Sequence, residues 1–449
     1  MLQECVTCSK RSGAEAELTS RCDTFFYQII QCCLGVHVLV RLKGFQKLTS
    51  VDNALQKFFA AIEFKQPKTV VVPLNSALNR VLAENVTARV DVPRFNRSAV
   101  DGYAVDAGRT VGATQFKPKV FQLTSNSRIH VGMAKQVWTG NPIPEGADTV
   151  VMLEDTKLVK DRINVWSQVT PGENVSKKGE DIRKGDVAAD VGTRLRPQHM
   201  GLIAALGTSR VKVYGRPRIS VLTTGNELVE LGNRLEGSQI FETNKLVLSA
   251  LCSELGAEPL DMGIARDDVD EISERLRIGL EKSDVIITSG GTSVGGADFV
   301  PEAVNRVAKP GVVVHGVAMR PGMPTALASA NGKPILILPG NPVAAMIGFE
   351  VFARPLICRM LGMKRTEPRL TVKAKMTRGI ATALGRMNFV RVRVFRHDDE
   401  LLAEPISARG SGMMSTMTKA NGFVIVLGNR EGLEEKELVS VQLFDFVEG

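Results

Sequence analysis

The chain reads as a multi-domain α/β protein organised around a doubly wound α/β domain. Its 449 residues exceed what one hydrophobic core holds. Between 215 and 363, continuous apolar runs at 219–223, 284–288 and 335–338 alternate with amphipathic stretches at 244–255, 269–282 and 343–361. That alternation is the signature of parallel strands buried on both faces and crossed over by helices. On either side lie short β-branched runs punctuated by Gly, Pro and Asp, which predict separate β-rich modules.

In chain order, apolar residues at 51, 54, 55, 58, 59 and 62 have helical spacing over 51–64, with Ser50 placed to cap the first turn. A second short helix is expected over 76–82. The runs 85–90, 136–139, 149–154 and 162–166 predict the strands of a β-domain. Pro197 fits the first position of a helix within 184–206. After residue 366 alternation returns at 370–376, 389–395, 401–405, 423–426 and 438–443, which predicts a small barrel. The run 389–396 places its arginines on one face, expected to be a solvated basic face.

Bulk numbers narrow the function. The net charge of +9 suits an anionic partner, whereas 5% aromatic residues and the lack of a reading motif argue against nucleic acid. Cys5, Cys8, Cys22, Cys32 and Cys33 precede residue 34, but no second Cys-x-x-Cys or paired His follows Cys5 and Cys8, so no zinc site is expected. Cys252 and Cys358 fall in apolar helical patterns and read as buried hydrophobes. The apolar stretch 25–40 contains Gln28, Gln31 and His37, too short and polar to span a bilayer. With no export signal and no disulfide framework in the body, a cytoplasmic protein is expected.

The chemistry sits in short motifs. Ser289-Gly290-Gly291-Thr292-Ser293-Val294-Gly295 follows a buried strand, so its backbone N–H groups can approach an anion. It is neither a Walker loop nor a dinucleotide fingerprint. Pro339-Gly340-Asn341-Pro342 offers Asn341 as N-cap and Pro342 as first helical residue, a second wall for a phosphate-sized site. Thr224-Gly225-Asn226-Glu227 lies at another strand end, where open α/β sheets bind ligands. Asp101, Asp181, Glu227, Asp267, Asp268 and Asp298 all lie in or beside motifs. Carboxylates converging on an anion repel it unless a hard cation such as Mg²⁺ bridges them.

Six motifs in order carry a resemblance. They are Asn96-Arg97-Ser98-Ala99-Val100-Asp101-Gly102, Thr139-Gly140-Asn141-Pro142 through Asp148, Lys178-Gly179-Glu180-Asp181, Thr224 to Glu227, Ser289 to Gly295 with Asp298, and Pro339 to Pro342. From about residue 46 onward the chain resembles the molybdopterin molybdenumtransferases, the MoeA type related to the gephyrin E domain. The resemblance implies an extension at 1–45, either disordered or a misassigned translation start. It implies an elongated domain from 46–84 and 182–214, an inserted β-domain at 85–181, the α/β domain at 215–363, and a C-terminal barrel at 364–449. It implies binding of adenylylated molybdopterin, insertion of molybdate or tungstate, and release of AMP.

The resemblance also places Asp101, Thr139, Asp181, Glu227 and Asp298 at or near an active site assembled in a homodimer. Asp101, Glu227 and Asp298 are the candidate Mg²⁺ ligands. Ser289, Gly290, Gly291, Ser293, Gly295, Gly340 and Asn341 are expected to hold the cofactor precursor. Arg320-Pro321-Gly322-Met323-Pro324 resembles a family Lys-Pro-Gly-Lys-Pro loop, so Arg320, Pro321 and Pro324 join that set. Met323 replaces the second lysine, and Arg97, Lys177, Lys178 or Arg183 are candidates to compensate. Ser411-Gly412-Met413-Met414-Ser415 resembles a loop of the family's C-terminal module. A molybdopterin adenylyltransferase and a non-enzymatic scaffold are the competing readings. The Asp101 and Asp181 motifs weigh against the first, and retention of the acidic residues weighs against the second.

Overall fold

A computed structural model describes residues 48–64, 67–292, 298–363, 369–407 and 411–448. The extension at 1–45, and with it Cys5 and Cys8, lies outside these residues. The chain divides into two compact units.

The first unit contains the α/β sheet and the C-terminal barrel. Its opening helix, Val51–Ala61, starts where expected, with the Ser50 side chain accepting from Asn53 N. The α/β sheet orders its strands as Glu258–Ala265, Arg218–Thr224, Val285–Ser289, Lys333–Leu338, Ala326–Ala330 and Pro310–His315. The first four run parallel, Ala326–Ala330 runs antiparallel to them, and Pro310–His315, antiparallel to Ala326–Ala330, returns to their direction. The sheet is therefore mixed rather than parallel throughout. Ala326–Ala330 escaped the sequence reading because alanine and serine carry no β-branched signal, yet all five residues are buried. Helices Asn244–Leu255 and Val269–Lys282 have the expected limits. The helix over 343–361 begins at Pro342 and passes through a π-helical turn at Phe349–Ala353. One core cluster joins Leu222, Ile272, Leu276, Ile286, Val304 and Ile337.

In the barrel, Met387–His397 pairs with both Glu400–Ser407 and Gly422–Val426. Thr371–Met376 and Leu438–Leu443 complete the ring, so five strands close on themselves and leave no free edge. Val390, Val392, Val394 and Val441 fill it. The expected solvated arginine face holds in part: Arg393 is half-exposed and Arg396 exposed, but Arg391 is only 1% exposed, and burial lowers its pKa. The cross-strand partner of Arg391 is Phe423, which meets Phe389 edge-on and stacks on Phe444, an aromatic cluster at the Arg391 end of the face. Glu350 links this barrel to the α/β helices through Arg354 at 2.6 Å and Arg369 at 2.8 Å.

The second unit holds the β-domain and the paired segments that lead into and out of it. Thr69–Pro73 pairs antiparallel with Arg210–Tyr214, and Val86–Thr87 with Val187–Ala189. The helix expected over 76–82 does not form. Leu74–Ser76 is a single 3₁₀ turn, and Asn79 takes a left-handed φ of 62°. The segment instead bridges to the returning chain, Val81 to Arg194 and Leu82 to Val213, and these pairings override local helical spacing. Pro197–Ala205 is a helix with Pro197 at its first position. The β-domain sheet runs Thr149–Met152, Gly102–Val105, Met133–Val137, Lys119–Leu123, Arg162–Val165, Thr156–Val159.

Candidate functional site

In the α/β domain, three strands end side by side and their loops interlock. Gly290 adopts φ 100°, and a Cβ there would lie 2.2 Å from the Thr224 carbonyl oxygen. Gly291 adopts φ 63°, and its Cβ would meet Val300 at 2.5 Å and the Thr224 hydroxyl at 2.8 Å. Both positions therefore admit only glycine on steric and backbone grounds. Gly340 packs on Gly290, where an added Cβ would sit 3.5 Å from the Gly290 Cα.

Buried Asn244, which sequence reasoning missed, stitches these loops together. Its Nδ2 donates to the Ser289 hydroxyl at 2.9 Å and to the Gly340 carbonyl at 2.7 Å. Ser289 in turn donates to the Pro339 carbonyl at 3.0 Å. The Ser289 hydroxyl is thus engaged inside the protein. The buried hydroxyls of Thr224 and Thr292 have no hydrogen-bond partner among the described residues. Ser293 and Gly295 lie outside the described residues.

Asn341 has N-cap backbone angles, but its side chain makes no capping bond. The Val343 N–H of that helix already donates to the Ser411 carbonyl at 3.1 Å. The loop around Ser411 and Gly412 thus covers one side of the helix end. Gly322 of the Arg320 loop adopts φ 111°, and a Cβ there would approach the Met319 Cε to 2.1 Å and the Ala344 carbonyl to 3.6 Å. Pro321 and Pro324 are half-buried on either side of it. Arg320 is exposed and lines a cavity of about 200 Å³ with Thr382, Asn388 and Phe389 of the barrel.

Glu227 is exposed just past the strand end, and its carboxylate fills the space where a Gly225 Cβ would stand, 2.8 Å away. Its neighbour Asp267 is half-buried, and burial followed by the Glu227 charge holds its carboxyl above the usual range. Asp298 precedes the helix Phe299–Val307 and faces His315 Nε2 at 3.7 Å. Among the described residues, no three His, Cys, Asp or Glu side chains gather at metal-binding spacing. A carboxylate pair such as Glu227 and Asp267 does fit Mg²⁺, which commonly takes one or two protein carboxylates and completes its shell with phosphate and water. Asp268 serves another purpose, capping Val269–Lys282 by accepting from Glu271 N.

In the β-domain, Asp101 and Thr139 come together. Asp101 Oδ1 accepts from Thr139 N at 2.7 Å and from the Thr139 hydroxyl at 2.8 Å. These bonds, the backbone one first, lower the Asp101 pKa below its usual value. The contact is built by the pairing of 96–98 with 140–142: Ser98 N donates to Asn141 O, and Gly140 N to Ser98 O. Gly102 is not a turn glycine. It begins a buried strand, and a Cβ would fall 2.0 Å from the Val151 carbonyl oxygen. Asp181 lines a separate open cleft of about 370 Å³ with Arg97, Asn174 and Ser176. Of the four cations considered as replacements for a lysine at Met323, only Arg97 lines this cleft. Lys178 pairs instead with Asp91 at 3.4 Å.

Comparison with known proteins agrees with this architecture along the chain. Residues 49–207 match the MoeA N-terminal region (domain I and II), 220–359 a probable molybdopterin binding domain, and 373–444 the MoeA C-terminal region (domain IV). A molybdopterin biosynthesis protein of Methanocaldococcus jannaschii is 34% identical over 411 residues, covering 90% of this chain and 99% of the relative. A molybdopterin molybdenumtransferase of Haemophilus influenzae is 32% identical, covering 90% of this chain and 100% of the relative. Among solved structures, the molybdopterin biosynthesis MoeA protein of Pyrococcus horikoshii superposes with a TM-score of 0.75 at 30% identity, over 89% of this chain and all of that one. With its three family regions in order and its relatives matched end to end, the chain belongs to the molybdopterin molybdenumtransferase family, enzymes of molybdenum cofactor biosynthesis.

Proposed function

We propose that this chain inserts molybdate or tungstate into adenylylated molybdopterin and releases AMP, as a cytoplasmic homodimer assisted by Mg²⁺. The observation that carries the reading is the interlocked floor of Gly290, Gly291 and Gly340 with the unpartnered Thr224 and Thr292 hydroxyls beside it. Glycines here let the strand-end loops close on one another, and backbone N–H groups of such loops can be offered to a phosphate. Arg320 supplies a planar cation suited to an oxyanion.

In this reading the phosphoanhydride between molybdopterin phosphate and AMP is cleaved. Water adds to phosphorus, AMP leaves with the bridging oxygen, and the water proton passes to solvent or to a nearby carboxylate. A bound Mg²⁺ would supply charge neutralisation at the phosphates. Glu227 and Asp298 are the candidates to hold it in the α/β domain, while Asp101, in the β-domain, is assigned to the substrate. Thr139 keeps Asp101 ionised and oriented, and Asp181 positions substrate beside Arg97. The Asp101 and Asp181 motifs, carried by a whole β-domain, support this reaction over adenylyl transfer from ATP.

The test is incubation of the full chain with adenylylated molybdopterin, Mg²⁺ and each oxyanion. AMP release that requires the oxyanion is expected. Intact adenylylated substrate after prolonged incubation with both oxyanions would reject the proposal. Light scattering at micromolar concentration should give the dimer mass, and a monomer with full activity would reject the homodimer.

A further inference from the structure

Trp138 is one of two tryptophans in the chain, and it is 51% exposed. Single exposed apolar residues are common and need no explanation, so exposure alone says little. The placement says more. Gly102 pairs with Val137 in antiparallel register, and continuing that register by one residue sets Asp101 opposite Trp138. Directly opposed residues of an antiparallel pair project to the same face, with Cβ atoms about 5 Å apart. That face is the one on which Tyr103, Ala134 and Val151 form the core of the β-domain. By that register Trp138, one residue past the end of its strand, falls at the rim of the core on the Asp101 side.

The backbone there is fixed. Trp138 N donates to Asn141 Oδ1 at 3.1 Å, and the next residue, Thr139, holds Asp101 through two hydrogen bonds. An aromatic ring with few rotamers, on a pinned backbone beside an ionised carboxylate, is preorganised to receive a flat polar ring. The ring face supplies stacking, and the carboxylate accepts N–H groups at the ring edge. Adenine and pterin both present amino or ring N–H donors on a planar heterocycle.

We propose that Trp138 is a stacking platform for a heteroaromatic ring of the substrate, with Asp101 receiving that ring's N–H edge. The proposal rests on the transferase reading for its substrate, but its ring-binding chemistry can be tested alone.

In the full chain carrying Trp166→Phe, Trp138 is the sole tryptophan. Its emission is titrated with AMP, with 6-hydroxymethylpterin and with ribose 5-phosphate, corrected for absorption, with calorimetry in parallel. Saturable quenching by at least one ring-bearing probe and none by ribose 5-phosphate is expected. Trp138→Ala should weaken binding of that probe by about tenfold and Trp138→Phe by much less, because stacking tolerates any aromatic face. AMP quenching alone assigns the adenine ring, and pterin quenching alone the pterin. The proposal is overturned if no ring-bearing probe binds at millimolar concentration, or if one binds without changing the emission. It is overturned equally if emission depends only on protein concentration, which would mean that a second copy covers the indole.

With adenylylated molybdopterin, Trp138→Ala should raise KM by about tenfold with kcat little changed. Wild-type turnover with an unchanged KM in the variant defeats the stacking assignment and leaves the transferase reading standing. No turnover by wild type defeats the transferase reading, and the probe titrations then judge Trp138 by themselves.

Discussion

The strand-end loops of the α/β domain and the Asp101–Thr139 rim of the β-domain are built on opposite plans. At the strand ends the described glycine loops are locked by close approach. Gly290 and Gly291 tolerate no Cβ, and Asn244 joins Ser289 to Gly340 inside the fold. At the rim, two hydrogen bonds converge on one carboxylate oxygen, and the site is exposed. The first region buys rigidity by packing and so ties its site to stability. The second is held by a few polar contacts, so its chemistry can be altered with little cost to folding.

The largest effect should come from breaking the packed plan. Gly290→Ala drives a Cβ to 2.2 Å from the Thr224 carbonyl oxygen at a φ of 100° and should cost about 3 kcal/mol or more, read by denaturant unfolding. Gly140→Ala is the matched control near the rim. Its φ is 88°, but nothing lies within 4 Å of an added Cβ, so about 1 kcal/mol is expected from the backbone alone. Equal losses would show that close packing does not distinguish the two regions.

Next comes the ion network that joins the α/β helices to the barrel. Burial alone would raise the Glu350 pKa, but the Arg369 and Arg354 hydrogen bonds outweigh it and hold the carboxyl below its ordinary 4.5. A depressed carboxylate contributes stability above its unfolded pKa and loses it as pH falls through the folded value. Thermal stability should therefore drop as pH is lowered below about 4.5, and Glu350→Gln should flatten that drop. The same substitution at pH 7 should cost about 3 kcal/mol, since it leaves two largely buried guanidiniums with only the more exposed and more distant Glu254, at 3.6 and 3.5 Å, as their shared anion.

At the rim, Thr139→Val removes the hydroxyl bond to Asp101 and keeps the backbone one. Turnover should fall by about tenfold while the melting temperature moves little. A stability loss without an activity loss would make Thr139 a turn residue only. The smallest effect concerns Cys252, whose thiol burial pushes to a pKa of about 12. Peptide mapping after thiol labelling of the native protein at pH 8 should find Cys252 unmodified, and rapid labelling would contradict its placement in the core.

These outcomes bear on what could be read from residues alone. The parallel strands and their helices were legible because burial on both faces writes continuous apolar runs, as at 219–223 and 335–338. Ala326–Ala330 was not legible, since small residues fit a buried strand without marking it. The segment 76–82 does not form its expected helix because pairings of Val81 with Arg194 and Leu82 with Val213, over a hundred residues away, decide it. Within the site, glycine loops and carboxylates announced themselves by composition and order. Asn244 did not, because a polar residue at a helix start has an ordinary local explanation. Asp101-Gly102 was legible as a motif, but the glycine answers to the Val151 carbonyl and not to a turn.

The most direct test of the central claim, that the rim carboxylate and the strand-end carboxylate serve one reaction, is single-turnover AMP release from adenylylated molybdopterin with molybdate across a Mg²⁺ titration. Wild type, Asp101→Asn and Glu227→Gln should be compared at matched thermal stability. The account predicts that each variant releases AMP about 10²-fold more slowly or worse, that Glu227→Gln also needs more Mg²⁺, and that both unfold like wild type. Wild-type rates and wild-type Mg²⁺ response in both variants would contradict it.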